Sequence, residues 1–340
     1  MMKMPKSVTT LSAADSWQSQ LAQAITDPLQ LLQALSINPA LFPHAAAAHL
    51  SFQVKVPRAY LAKITPGDVN DPLLLQIMAS QHELVATPGY NQDPVGDLDA
   101  VRSPGLLHKY AGRVLLVTTS ACAVHCRYCF RRHFPYDQQQ PSRQHWQAAL
   151  EYIQSQPDIH EVILSGGDPL SLSDNKLAEL ISALAAIPHL KRLRVHTRMP
   201  VVLPDRVTDD LIHSLMSSRL QSCIVIHANH ARELAQPEYR ALLRMKSAGI
   251  TLLNQSVLLK QVNDSVSALA NLSERLYECG VIPYYLHLLD PVAGAAHFDV
   301  AAPQARDLMN RLRARLPGYL VPRLVREVAG ENSKLPAFEL

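Results

Sequence analysis

"RVLLVTTSACAVHCRYCFRRHF" occupies residues 113–134. Its first seven residues are apolar and rich in Val and Thr, and they read as a buried strand. The residues that follow bring three cysteines, so thiols stand directly beyond the strand's C-terminal end. Working outward, the same arrangement recurs. Apolar runs at "EVILSGG" (161–167), "RLRVHT" (192–197), "SCIVIHAN" (222–229), "TLLNQSVLL" (251–259) and "IPYYLHLLD" (282–290) each carry polar groups. In order these are Gly166-Gly167-Asp168, His196 to Arg198, His227 with Asn229, Asn254 with Gln255, and His287 with Asp290. Helix-like segments at 143–156, 174–187, 208–218, 238–248 and 264–279 lie between the runs. Strands alternating with helices predict parallel βα units. A barrel gathers reactive groups at the C-terminal ends of many strands, whereas a doubly wound sheet uses one switch point. The expectation is an α/β fold built on a partial, TIM-like (β/α)6 barrel over residues 106–316.

The flanks differ in texture. Residues 11 to about 83 read as short helices, with "SWQSQLAQAI" and "PLQLLQALSI" at helical spacing and Asp27-Pro28 between them. Residues 86–105 are rich in Pro, Gly and Asp and read as a wrapping linker, which places a helical N-terminal region and linker at 1–105. Residues 317–340 read as a Gly- and Pro-punctuated tail packed across the barrel mouth. With 48% apolar residues the chain can bury a large core, and its formal charge of +3 argues against a nucleic-acid coat or a membrane binder. No run of 18 apolar residues and no signal-peptide pattern stands in the sequence. An odd, sparse set of five cysteines predicts a reducing cytoplasm, with Cys223 and Cys279 as small buried hydrophobes.

Cys122, Cys126 and Cys129 have the spacing C-x3-C-x2-C. Three thiols are one short of a closed site. A structural zinc completed by His125 or His133 is one reading. A 4Fe–4S cluster with one iron left open for a small molecule is the other.

That spacing resembles the signature of the radical S-adenosylmethionine (SAM) enzymes. The resemblance implies a 4Fe–4S cluster on Cys122, Cys126 and Cys129, SAM on the open iron, and one-electron cleavage of its sulfonium to a 5′-deoxyadenosyl radical. "SGGDP" (165–169) resembles the family's glycine-rich strand end, which assigns Ser165, Gly166, Gly167 and Asp168 to cofactor binding. "RYCFRRHFPY", "ILSGGDPL", "RVHTRMPVVLP", "LLNQSVLLKQVND" and "SKLP" together resemble one branch, the lysine 2,3-aminomutases, from about Pro104 to Pro336. The length resembles the short form that makes β-lysine for attachment to bacterial elongation factor P.

This branch implies pyridoxal phosphate (PLP), held as a Schiff base by Lys334, a residue that on its own reads as a solvated lysine in a frayed tail. The resemblance assigns the substrate carboxylate to Arg131 and the substrate ε-ammonium to Asp290 and Glu327, where Glu327 stands in place of a family aspartate. Lys109 and Arg113 match basic positions for the PLP phosphate, Lys109 replacing an arginine. His227 and Gln255 match positions near SAM or PLP. The partners implied are free lysine, an external electron donor and, downstream, a ligase and elongation factor P, with a small homo-oligomer at most. Two rivals stand beside this reading. A glutamate mutase should want cations where Asp290 and Glu327 are, and a non-catalytic zinc or iron–sulfur module that reads RNA should be more basic.

Overall fold

The computed structural model describes residues 16–137 and 143–337. Residues 11–15 of the expected helical run, and the last three of the chain, lie outside the described residues. Five short helices come first: α1 (Trp17–Ala22), α2 (Pro28–Ala34), α3 (Ala45–Ser51), α4 (Arg58–Leu61) and α5 (Pro72–Leu75). Local chemistry starts two of them. Asp27 accepts a hydrogen bond from Leu29 N (2.8 Å) and Asp71 one from Leu73 N (2.8 Å), each just ahead of a proline at the first helical position.

One sheet follows, with strands in sequence order: β1 (Val101–Ser103), β2 (Leu106–Tyr110), β3 (Arg113–Thr119), β4 (Glu161–Gly166), β5 (Arg192–Thr197), β6 (Gln221–His227), β7 (Thr251–Val257), β8 (Ile282–His287), β9 (Arg323–Arg326) and β10 (Leu335–Pro336). From β3 to β9 every neighbouring pair is parallel, while β1, β2 and β10 are antiparallel additions at the two ends. The connecting helices are α6 (Arg143–Gln154), α7 (Asp174–Ala185), the short α8 (Met199–Val202) with α9 (Asp209–Met216), α10 (Gln236–Ser247), α11 (Val266–Glu278) and α12 (Ala302–Arg315). Each long one buries a stripe at helical spacing, as Leu177, Leu180, Ile181 and Leu184 do on α7. The central strands are buried on both faces, as Val162, Ile163 and Leu164 are in β4, which suits a parallel sheet covered by helices.

The six expected strands are β3 to β8, and the fold is a partial barrel as the strand ends implied. The segment read as a tail differs from expectation. Its "RLVR" forms β9, a seventh parallel strand beside β8, and "LP" returns antiparallel as β10. Four residues with charged ends are too few to show a strand period.

The barrel does not close, because β1 and β10 are both edges. The linker segment lines the opening. Asn91 N donates to Pro291 O (2.9 Å) and Ala293 N donates to Asn91 O (2.8 Å), which seats this segment against the loop after β8. Gly96 takes φ +65°, and an added Cβ would lie 3.1 Å from Ala329 Cβ, so here the two sides of the opening nearly touch. A core substitution should behave as in any tightly packed α/β protein. Leu193→Ala, at a fully buried β5 position, should cost ~3 kcal/mol by urea denaturation of the apoprotein.

Candidate active site

The cysteine loop leaves β3 and is pinned on its outer side by the segment between α3 and α4. His125 N donates to Lys55 O (3.0 Å), and Arg127 Nη1 donates to Phe52 O (2.8 Å) and Gln53 O (3.1 Å). Arg127 is fully buried and forms a two-pronged pair with Glu83, Nε to Oε1 at 2.9 Å and Nη2 to Oε2 at 2.6 Å. Arg132 joins the same carboxylate at 2.7 Å. A buried charge needs partners, and Glu83 meets that need for both arginines.

On the inner side the loop meets β4. Gly167 N donates to Thr119 O (2.7 Å) and Asp168 N to Ala121 O (2.8 Å). An added Cβ on Gly167 would overlap the Ala121 carbonyl oxygen and come within 2.7 Å of Ser120 C. Gly166 takes φ +117° with equally little room, 2.7 Å from Thr119 O. Both glycines are therefore required by backbone contact with the start of the thiol loop. The Asp168 carboxylate is filled by protein donors: Leu170 N (3.0 Å), Thr197 Oγ1 (2.6 Å), Arg198 N (2.7 Å) and Met199 N (3.1 Å). It ties the end of β4 to the end of β5.

The three thiols crowd one another. Burial pushes Cys122 well above the usual thiol range, and its neighbours Cys129, Asp168 and Cys126 push the same way. Burial and then Cys126 raise Cys129 to about 11. Three thiolates at this spot need a cationic centre, because the ordinary thiolate charge is strongly disfavoured. Arg198 Nη1 supplies part of it with a 2.7 Å hydrogen bond to Cys126 Sγ, and Arg198 is held in turn by Glu233 (2.8 Å) and Gln76 (2.8 Å). The zinc reading fares less well. His125 Nδ1 meets Gln53 O (2.9 Å) and His133 Nε2 meets Ala293 O (3.1 Å), which leaves one ring nitrogen of each for other bonds, but neither ring joins the thiols in a ligand group. Among the described residues no three His, Cys, Asp or Glu side chains gather to hold a single ion.

A second group of charges spans the opening of the barrel. Arg131 Nε donates to Asp97 Oδ2 (2.7 Å), and its Nη1 donates to Ser165 Oγ (3.0 Å). Asp97 Oδ1 lies 2.6 Å from Lys109 Nζ, which lies 3.1 Å from Glu327 Oε1. Glu327 Oε2 pairs with Lys334. Burial opposes ionisation of Glu327, but the Lys334 and Lys109 ammonium groups win and hold its carboxyl well below the usual range. Asp97 follows the same logic, with Arg131 and Lys109 overcoming burial. Arg113 stacks on the Tyr110 ring at 4.6 Å, and Tyr110 hydrogen-bonds Glu327.

Asp290 stands apart. It is half-buried, its Oδ1 is shielded from solvent without a hydrogen-bond partner, and desolvation followed by repulsion from Glu327 raises its carboxyl to about 7. Lys334 is the main opposing charge and also acts on His196 and His287, which burial keeps neutral. His227 is likewise held neutral, at about 3, by burial and then by Arg198, and its Nε2 meets Tyr128 Oη at 2.9 Å. Gln255 is beside His227 in register across β6 and β7.

Residues 116–272 match the model of the radical SAM superfamily. Over 324 residues the chain is 48% identical to L-lysine 2,3-aminomutase of Escherichia coli, covering 95% of this chain and 94% of that one. The chain belongs to the lysine 2,3-aminomutase family of radical SAM enzymes. It is 47% identical over 319 residues to the Haemophilus influenzae aminomutase, with 94% of each chain covered. To that of Clostridium subterminale it is 33% identical over 324 residues, 95% of this chain and 77% of the other.

As a radical SAM aminomutase the chain is an isomerase that uses a 4Fe–4S cluster and SAM. The crowded thiols, the Arg198 donor and the glycine cradle are the residues that fit that cluster. The two charged groups also contain residues to which sequence reading gave no role. Asp97, Tyr110, His196, Arg198 and Glu233 all enter them, and only His196 and Arg198 carried a signal, their place after a strand. Gly167→Ala offers a direct check of the cradle. The variant should fold yet lose most of the iron bound on anaerobic reconstitution, since the loop base must shift away from the end of β4. Iron content equal to that of the parent would contradict the fit.

Proposed function

We propose that the chain converts L-α-lysine to β-lysine by migration of an amino group, using PLP beside the cluster and SAM, in the cytoplasm. The β-lysine is destined, through a downstream ligase, for elongation factor P, a reading supported by the resemblance to the short aminomutases. The observation that carries the substrate assignment is Asp290: a half-buried carboxyl whose shielded Oδ1 has no partner, near a second carboxylate, calls for a cation. The ε-ammonium of lysine meets that need. The side-chain carboxylate of glutamate would face Asp290 and Glu327 with like charge.

SAM and the reduced cluster supply a carbon radical when bound, and PLP supplies an aldehyde that takes an amine and a conjugated ring that spreads an unpaired electron. The chain's own residues do the rest. Lys334 presents the amine for PLP inside the barrel, next to His196 and His287. Lys109, paired with Glu327, and Arg113, stacked on Tyr110, are the cations for the PLP phosphate. Asp97 and Ser165 take up Nε and one Nη of Arg131, which leaves the other Nη for the substrate carboxylate. Glu327 keeps Lys109 and Lys334 within one ion group, and its longer side chain reaches both. Ser165, Gly166 and Gly167 at the end of β4 would help hold SAM, with His227 and Gln255 as neighbours in register on β6 and β7.

The sign of the pH effect follows from Asp290. Without a cation its carboxyl carries a proton below about 7. Binding an ammonium group favours the charged form and expels that proton. KM for lysine should therefore fall as pH rises toward 7 and level off above it. Asp290→Asn should raise KM ~tenfold or more and flatten this profile. In the free protein the raised carboxyl has the opposite consequence. Its stability contribution is present below the unfolded value and lost as pH rises through about 7, so Asp290→Asn should gain stability relative to the parent over that interval. Anaerobic assay with SAM, PLP, reductant and lysine tests the whole reading. Lys334→Ala should abolish both PLP retention and β-lysine formation, and β-lysine made by that variant would remove the PLP assignment.

A further inference from the structure

Arg198 stands directly after β5, is 6% exposed, and meets the cysteine loop with Nη1 at 2.7 Å from Cys126 Sγ. It is fixed from both ends. Its backbone N donates to Asp168 Oδ2 (2.7 Å), and its Nη2 donates to Gln76 Oε1 and Glu233 Oε2, each at 2.8 Å. Glu233 is fully buried in the turn after β6, where its other oxygen accepts from Asn229 N (2.8 Å) and His230 N (3.0 Å). The guanidinium is thus shared between a carboxylate and a sulfur, and neither partner is free to swing away. Its Nε is shielded from solvent and has no hydrogen-bond partner among the described residues, so the group keeps a further donor to give. Arg127 follows Cys126 in sequence, but it is paired with Glu83 and with the carbonyls of Phe52 and Gln53. A buried ion pair adds little to stability for its desolvation cost, which points to a role for Arg198 and Glu233 beyond folding.

We propose that Arg198 and Glu233 are an opposed pair that sets the reduction potential of the cluster, Arg198 raising it through Cys126 Sγ and Glu233 lowering it through Arg198. The inference rests on the cluster assigned to Cys122, Cys126 and Cys129, and is independent of PLP and of the amino acid. Reduction adds one negative charge to the iron and its sulfurs, so a cationic donor on a ligand sulfur favours the reduced form. In a dry surrounding that charge is felt strongly. Glu233 sits behind the guanidinium with the opposite sign and draws part of its charge away from the sulfur. The step concerned moves one electron from a one-electron reductant to the cluster, with no bond made or broken on this chain. Two opposed charges suit a centre that must first accept an electron and then release it to a sulfonium. Too high a potential would keep the electron on the iron, and too low a potential would leave the cluster oxidised. Both side chains act through Cys126, and so they are positioning residues.

Anaerobic redox titration of the reconstituted full chain, without lysine or PLP, tests the pair through the paramagnetic resonance signal of the reduced cluster. At the parent's midpoint potential the reduced and oxidised forms are equal. Arg198→Gln should lower the midpoint so that their ratio at that potential falls about tenfold, a shift of ~59 mV for one electron. Arg198→Lys keeps the charge and should recover most of that loss. Glu233→Gln keeps the shape without the charge and should move the ratio the other way, toward the reduced form. Iron content and visible absorption show whether each variant holds its cluster. If Arg198→Gln binds no iron, Arg198→Lys and Glu233→Gln decide, and a Glu233→Gln midpoint at or below the parent's would overturn the proposal. Midpoints equal to the parent's in Arg198→Gln and Glu233→Gln, or shifts of one sign in both, would overturn it too, because loosening of the site alone has no reason to change sign. A parent without a reducible cluster would remove the cluster assignment itself, and the role of this pair with it.

Discussion

An open barrel has to hold its two edges in place without strand pairing, and here charge does that work. Arg131, Asp97, Lys109, Glu327 and Lys334 form one alternating ion chain across the opening between the first and last strands. Each buried charge has an opposite neighbour on both sides or is at an end of the chain, so no member is left to bear its desolvation alone. Four of the residues proposed for substrate and PLP, Arg131, Lys109, Glu327 and Lys334, are among those that bridge the opening. Packing and chemistry are thus set by one network, and a change in any member reaches all of them.

The thiol loop obeys a different constraint. It is squeezed between a glycine strand end on one side and the buried Arg127–Glu83–Arg132 group on the other. The squeeze holds three half-buried sulfurs where desolvation and mutual repulsion disfavour the thiolate charge, and Arg198 donates directly to Cys126. Such a site is costly as bare protein and favourable once a cationic cluster is present, which couples cluster binding to local order.

What was legible in the sequence was whatever depended on short-range pattern. The six strands β3 to β8 announced themselves by apolar runs, and the thiols by their spacing. Gly166 and Gly167 could be flagged, but the backbone contact that forbids a side chain there could not. Asp97 was hidden, because one aspartate among several in a Pro- and Gly-rich segment gives no sign of facing Arg131 across the fold. Strand β9 was hidden by its brevity, and it mattered, since it carries the chain to Glu327. Asp168 shows the converse. Its motif suggested a ligand, whereas its oxygens are occupied by the ends of β4 and β5.

The bridge between Lys109 and Glu327 joins positions 218 residues apart. A ribosome delivers Asp97 and Lys109 early and their last partner only when nearly everything else has been made. Until then Lys109 has Asp97 as a partner but lacks Glu327, and Lys334 is absent as well. A chain cut short of Glu327 would therefore have its thiols but an incomplete ion chain across the barrel opening.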